Sequence, residues 1–204
     1  MIRDLTKKTR TVRRFMEDKV IEFETLEKLV DLSRFGGSAR NSQPLRYMIV
    51  TEENMRKRIF PHLGWAGYLL DWSGPVTGER PAAYIICLLV RDRCLGPEHE
   101  AHFDLGISTQ NILLGAAEKG IFGCRIGSFS KKLTKDLSID NMHKILLVLA
   151  LGYPAEKVVI ENMGMDDNVR YWRDSKDIHH VPKRKMEDIL YTSSQSVPVS
   201  NSED

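Results

Sequence analysis

The sequence predicts one domain that mixes buried strands with helices, and three stretches carry that prediction. Residues 82–90 (AAYIICLLV) form an unbroken apolar run with β-branched and aromatic members, a length that suits a strand buried on both faces. Residues 145–151 repeat the pattern and stop at Gly152-Tyr153-Pro154. Between the two, residues 98–119 carry the longest helical pattern in the chain, ended by Gly120 just past the C-cap. Apolar positions wrap much of that helix, so it is central or lies at a subunit interface.

A chain of 204 residues has the length of one domain, expected over 1–191, followed by a Ser-rich tail at 192–204 that reads as disordered. An apolar fraction of 42% and a charged fraction of 28% are ordinary for a chain that buries a real core. Net charge is only +2, which argues against nucleic acid as a partner, because phosphate-backbone binding needs a broad positive face. The cysteines Cys87, Cys94 and Cys124 are odd in number and lack C-x-x-C spacing, so neither a disulfide framework nor a zinc site is implied. With charges from Arg3 onward and no apolar run long enough to span a bilayer, the expectation is a cytoplasmic chain without membrane partners.

The remaining elements follow from local pattern. Residues 1–8 form about two helical turns, and the basic stretch after them runs extended. Residues 25–34 read as a helix with Leu26, Leu29, Val30 and Ser33 on one face, ended by Gly36-Gly37. A polar loop of small residues, 37–44, leads into a short strand at 47–51, and 52–60 is a helix closed by Pro61. Residues 64–81 are rich in Trp, Tyr, Gly and Pro and read as ordered but irregular. A Gly-punctuated loop is expected over 120–128, then a short helix N-capped by Ser130. Beyond Ala155, residues 163–167 and 171–177 read as loops, and a last helix covers 185–191.

Four stretches could carry chemistry. In Thr9-Arg10-Thr11-Val12-Arg13-Arg14-Phe15, three guanidiniums offer planar forks matched to phosphate or carboxylate; the plain alternative is a solvated basic turn. The loop at 38–44 offers donors and acceptors suited to the edge of a heterocycle, or makes an ordinary turn. Glycines at 123–127 let backbone N–H groups approach a planar ligand, or serve a helix-to-strand connection. Lys183-Arg184 is a second phosphate-capable pair at a helix start, where cations oppose the helix dipole. The glycine spacing is not the dinucleotide fingerprint, and no Walker lysine is present, so no Rossmann domain is expected. His99, His102 and Asp104 lie close together, but H-E-x-H is not the zinc motif and no metal site is assigned. No Ser–His–Asp or Cys–His arrangement follows from spacing, and no catalytic residue is assigned.

Together these segments resemble the nitroreductase family of FMN-dependent flavoenzymes over nearly the whole chain, from Met1 to about Tyr191. The family's R-R-S-x-R-x-F is similar to Thr9–Phe15, with Thr9 in place of the first Arg and Thr11 in place of Ser. The family's P-S-x-x-N-x-Q-P-W is similar to residues 37–45, with Gly37 for Pro and Leu45 for the aromatic. A helix of the form D-x-G-x-x-x-Q-N-x-x-L-x-A is matched by Asp104, Gly106, Gln110, Asn111, Leu114 and Ala116, followed by the glycines at 120–127. L-G-Y-P is Leu151–Pro154, and a basic C-terminal element is Val181–Arg184.

The resemblance implies an α+β fold with a mixed, mostly antiparallel central sheet flanked by helices. It implies a homodimer with FMN at each of two subunit-interface sites, NADH or NADPH as co-substrate, and small-molecule acceptors. Arg10, Thr11 and Arg13 would bind FMN from one subunit, with Lys183 and Arg184 nearby; Ser38, Ala39, Asn41 and Gln43 would reach over from the other. The backbone at Cys124, Ile126 and Gly127 would run along the flavin ring, with Arg10 at the phosphate, Arg13 closer to the ring, and Arg14 without a part and expected to be solvated. The implied reaction is a two-step hydride transfer through flavin N5, from NAD(P)H to an electron-poor acceptor such as a nitroaromatic or quinone. The alternatives are a relative specialised for dehalogenation or flavin modification, with lids at 64–81 or 163–177, and a flavin-binding protein without turnover.

Overall fold

The computed structural model describes residues 2–192, so nearly all of the expected tail at 192–204 lies outside the described residues. The chain forms two compact units, one ending at Glu156 and one beginning at Lys157.

The first unit is built on a four-stranded antiparallel sheet of order β1-β2-β4-β3: β1 (Leu45–Val50), β2 (Ala83–Val90), β3 (Phe122–Ile126) and β4 (His143–Gly152). All eight residues of β2 are buried, as its unbroken apolar run requires for a central strand covered on both faces. Ile85, Cys87 and Leu89 point to one face and meet Leu26 and Leu29 of helix α2 (Phe23–Asp31) and Ile112 of the long helix α4 (Glu98–Glu118) in the main core. Burial pushes the Cys87 thiol up to about 12, so it is a neutral core group. Opposite β2, β4 carries one extra residue between Leu147 and Ile145, a bulge that lets Leu146 join the core. Helices α1 (Ile2–Lys8), α3 (Glu53–Ile59) and α5 (Lys132–Asp136) complete the unit.

Helix α4 ends as its sequence dictates. Gly120 takes φ +74° past the C-cap, and the amides of Gly120 and Ile121 close back on the carbonyls of Ala117 and Ala116. Those two bonds satisfy carbonyls the helix leaves open, and the positive φ is what glycine supplies without strain. The glycine stretch that follows is not the expected loop. Residues 122–126 are strand β3, paired along its length with β4. Gly123 is glycine there because a Cβ would come within 2.5 Å of the Ala150 carbonyl oxygen on that strand. Close strand packing accounts for it without any ligand. Ser130 Oγ accepts the Lys132 N–H before the next helix, but the residue that flanks that helix is Lys131, one position beyond the expected cap.

Residues 64–81 contain no helix or strand, yet they are held by aromatic contacts: Trp65 packs on Phe60 and edge-on to Trp72. Arg14, expected to be solvated, is instead 19% exposed at its side chain, pairs with Glu79 and lies over Trp72. It ties the basic stretch to this irregular segment.

The second unit carries a three-stranded sheet of order β5-β7-β6: β5 (Val158–Met163), β6 (Trp172–Arg173) and β7 (His179–Arg184), with β5 and β7 parallel. Two expectations change here. Trp172–Arg173 is a strand inside a stretch read as loop, and Lys183 and Arg184 end a strand instead of opening a helix; the helix, α6 (Met186–Ile189), begins beyond them. The argument from the helix dipole therefore does not apply to that pair. Short strands with polar alternation gave no period strong enough to read.

His180 straps this sheet together. Nδ1 bonds Glu161 on β5 at 2.7 Å, Nε2 lies 3.3 Å from Asp174 beyond β6, and the ring stacks on Trp172 at 4.9 Å. Asp174 also accepts the Lys176 and Ile178 amides, closing the turn into β7. The bond to Glu161, then that to Asp174, raises the His180 pKa above its ordinary 6.5; backbone hydrogen bonds, first that from Ile178, lower that of Asp174. A raised imidazole contributes stability that is complete below about 6.5 and is lost as pH rises through the raised value. Amide protection in residues 172–184, taken relative to the intrinsic exchange rate at each pH, should therefore fall from mildly acidic to mildly alkaline pH in the wild type, and His180→Gln should flatten that dependence. An equal dependence in the variant would remove His180 as its source.

Candidate functional site

The basic stretch at 9–15 runs extended across one edge of the first unit's sheet. Thr9 closes α1, its N–H and hydroxyl both bonding the Leu5 carbonyl. Thr11 then forms a parallel bridge to Gly123, and the Val12 amide bonds the Gly123 carbonyl. This bridge is where parallel pairing enters an otherwise antiparallel sheet. Val12 and Phe15 point inward and are buried, while Thr11 is exposed and Arg10 and Arg13 are half-buried. Further along, Phe15 bridges Pro154, the Met16 amide bonds the Tyr153 carbonyl and Ala155 bonds Arg14. Gly152 lets this happen, since a Cβ there would stand 2.7 Å from the Phe15 ring. Three stretches far apart in sequence thus become one surface: 9–15, 122–127 and 151–156.

Arg10 is a half-buried cation of this surface with an unpaired nitrogen, and the Nε atoms of Arg13 and Arg14 are buried without a hydrogen-bond partner as well. Arg10 Nη2 donates to the Thr6 carbonyl at 2.8 Å, while its buried Nε has no hydrogen-bond partner. Burial lowers its pKa, with no carboxylate acting against that effect. A half-buried guanidinium in this state is complementary to an anion. Arg13 stands at β3. Its amide and that of Arg14 both donate to Glu156 Oε1, at 2.5 and 3.1 Å, and its side chain hydrogen-bonds the Cys124 thiol. Burial nevertheless holds that thiol above its ordinary pKa, which removes a nucleophile role for Cys124. Ile126 is buried and Gly127 exposed at the end of β3.

Ser38, Ala39, Asn41 and Gln43 lie together at the start of α4. Ser38 Oγ and the Ala39 amide bond Asp104, and Gln43 Nε2 bonds Asn41 Oδ1 at 3.0 Å. A cleft of about 560 Å³ opens beside this loop, lined among others by Ser38, Gln43, Tyr47, Asp104 and Ser108. Lys183 and Arg184 are exposed at the end of β7 in the second unit, where Arg184 Nη1 bonds the Met165 carbonyl at 2.5 Å.

Solved structures share this architecture. One from Streptococcus pneumoniae, described as a nitroreductase family protein, superposes with a TM-score of 0.63 at 18% identity, covering 77% of this chain and 92% of the other. The fold is that of the nitroreductase family. A nitroreductase from Desulfovibrio desulfuricans, provisionally so named and solved in complex with FMN, also gives a TM-score of 0.63, at 21% identity, over 76% of this chain and 87% of its own. The nitroreductase family model matches residues 6–67, which contain both the basic stretch and the 38–43 loop. A curated relative from Archaeoglobus fulgidus, with the provisional name NADH dehydrogenase/NAD(P)H nitroreductase, is 27% identical over 156 residues, covering 73% of this chain and 83% of its own. The resemblance to nitroreductases seen in the motifs thus holds in sequence and in structure.

Two carboxylates have roles here that the sequence reading did not assign. Glu156 pins the Arg13 and Arg14 amides, and Asp104 pins the 38–43 loop. Asp104 was legible as the first residue of the helix motif and as a neighbour of His99 and His102, but not as the group that holds this loop. Of the same motif, Gln110 accepts from Arg125 at 2.9 Å and Asn111 reaches the Leu32 carbonyl, so its polar members serve the scaffold.

Proposed function

We propose that this chain is an FMN-dependent oxidoreductase that carries reducing equivalents from NADH or NADPH to an electron-poor small molecule such as a nitroaromatic or quinone. The observation that carries the reading is Arg10: a half-buried cation with an orphaned Nε, beside the exposed Thr11 hydroxyl and the edge of β3. That donor set fits the phosphate of FMN. The provisional oxidoreductase name of the archaeal relative and the FMN bound to the Desulfovibrio protein support the same choice.

Bound FMN supplies hydride transfer at its N5. The chain's part is to bind and orient. Arg10 and Thr11 would hold the phosphate. Arg13, fixed against Cys124 and Glu156, would bring positive charge to the ring, and the backbone of Cys124, Ile126 and Gly127 would support it. The functional unit is a homodimer of one nitroreductase-like domain, residues 1–191, with Ser38, Ala39, Asn41 and Gln43 serving the site of the other copy. Phe103 and Ile107, 65% and 42% exposed on the helix that holds this loop, support burial against a second chain.

The purified protein is expected to be yellow, to bind FMN on titration, to sediment as a dimer, and to be bleached anaerobically by NADH or NADPH. A colourless protein that takes up no FMN retires the reading. Flavin that neither nicotinamide bleaches would leave a flavin carrier without turnover.

A further inference from the structure

Asp104 has none of the roles above, yet it is the best-buried charged group near the loop. It sits in the second turn of α4, is 4% exposed, and turns both oxygens to residues 38–39. Oδ2 accepts the Ser38 hydroxyl at 2.6 Å and Oδ1 accepts the Ala39 amide at 3.0 Å. Ser38 Oγ in turn accepts the Gln43 amide at 2.9 Å. One carboxylate therefore holds the beginning of the loop directly and its end through a single hydroxyl.

Between those ends the backbone is in a state that needs holding. Arg40, Asn41 and Gln43 have φ of 55°, 52° and 48°, and none is glycine. Such residues occupy the left-handed region only where their surroundings over-determine it. Arg40 bonds Glu100 with two nitrogens, but its own side chain is more than half exposed, so that pair contributes little. The better-shielded bonds are those to the buried Asp104. They also redefine Ser38: its hydroxyl hydrogen is committed to Asp104 and it accepts the Gln43 amide, so it builds the loop while Asn41 and Gln43 are displayed, exposed and bonded to each other.

We propose that Asp104 is a positioning residue: through Ala39 and Ser38 it sets the backbone of residues 38–43, and thereby the placement of the Asn41 and Gln43 amides against the flavin. The flavin part rests on the FMN reading above; the hold on the loop does not.

The test uses the full chain with Asp104→Asn, Ser38→Ala and Ser38→Thr. In the apo protein, amide exchange over residues 36–44 should quicken at least about tenfold in Asp104→Asn and Ser38→Ala. The FMN Kd should rise about tenfold or more in both, as for loss of a hydrogen bond to a charged group. The visible circular dichroism of bound FMN should change with it, a signature that a loss of fold stability alone would not give. Ser38→Thr keeps the hydroxyl on an extended backbone and should restore affinity and exchange towards wild type. The double variant Asp104→Asn/Ser38→Ala should lose less affinity than the sum of the two singles, because the Ser38–Asp104 bond is common to both.

Wild-type exchange and affinity in Ser38→Ala, or full additivity in the double variant, overturns the proposal. If Asp104→Asn does not fold, the Ser38→Ala and Ser38→Thr pair decides it. If the wild-type chain takes up no FMN, the flavin reading falls and removes the flavin part. Apo exchange then still decides whether Asp104 holds the loop, supported by faster exchange and overturned by unchanged rates.

Discussion

Arg10→Ala weakens FMN binding by about 1.5–3 kcal/mol, the range for hydrogen bonds to charged groups, or at least about tenfold in Kd. The residue is suited to a clean test. Among the described residues its side chain bonds the Thr6 carbonyl in the last turn of α1, so little stability is lost with it. Its Nε is buried and has no partner, so what an anion would gain there is not already made within the chain. Arg13→Ala is also expected to weaken FMN, but it disturbs Cys124 as well and is harder to interpret. Titration with FMN measures the effect, and melting of the apo protein is the control. An Arg10→Ala chain that binds FMN as tightly as wild type would remove Arg10 from the phosphate site.

Phe15→Ala costs about 3–5 kcal/mol of folding stability, the range for emptying an aromatic site in a close-packed core. For a chain of this length that lowers Tm by about 6–20 °C. Phe15 is fully buried, stands against Gly152 where even a methyl group would collide with it, and bonds the Glu79 carbonyl through its amide. It is the peg that fixes the basic stretch to the end of β4. Unlike the Arg10 effect, this loss should be complete in the apo protein, with FMN binding failing as a consequence. Phe15→Leu should recover part of it. A Tm within a degree or two of wild type for Phe15→Ala would show that the stretch is anchored by its backbone bridges alone.

These two residues also mark how far the sequence could be read. Both belong to one motif, yet Arg10 was legible as an anion-binding side chain and Phe15 only as apolar. The peg role needed Gly152, far along the chain. Strong local periodicity made β2, β4 and α4 readable to within two residues at either end, and the C-terminal glycine of α4 fell where it was expected. The glycines at 120–127 misled because glycine reads as a loop signal, whereas Gly123 is demanded by the approach of β4. No strand was read between 158 and 184, and 163–167 and 171–177 were read as loops, because the strands there are short, half-exposed and paired at long range. Arg14 looked solvated because Glu79 and Trp72, which cover it, lie in the least periodic segment of the chain.

By itself, the sequence determined the mixed architecture, the buried strands, the long central helix and the order of the nitroreductase-like motifs. Each of these is written in local spacing and residue type. Only the tertiary structure decided that the basic stretch joins the edge of β3, that Arg10 keeps an unsatisfied Nε, and that Asp104 and Glu156 hold backbone amides of the two motifs. Those are contacts between residues tens of positions apart. A carboxylate carries no mark in its own neighbourhood of which distant N–H it will meet.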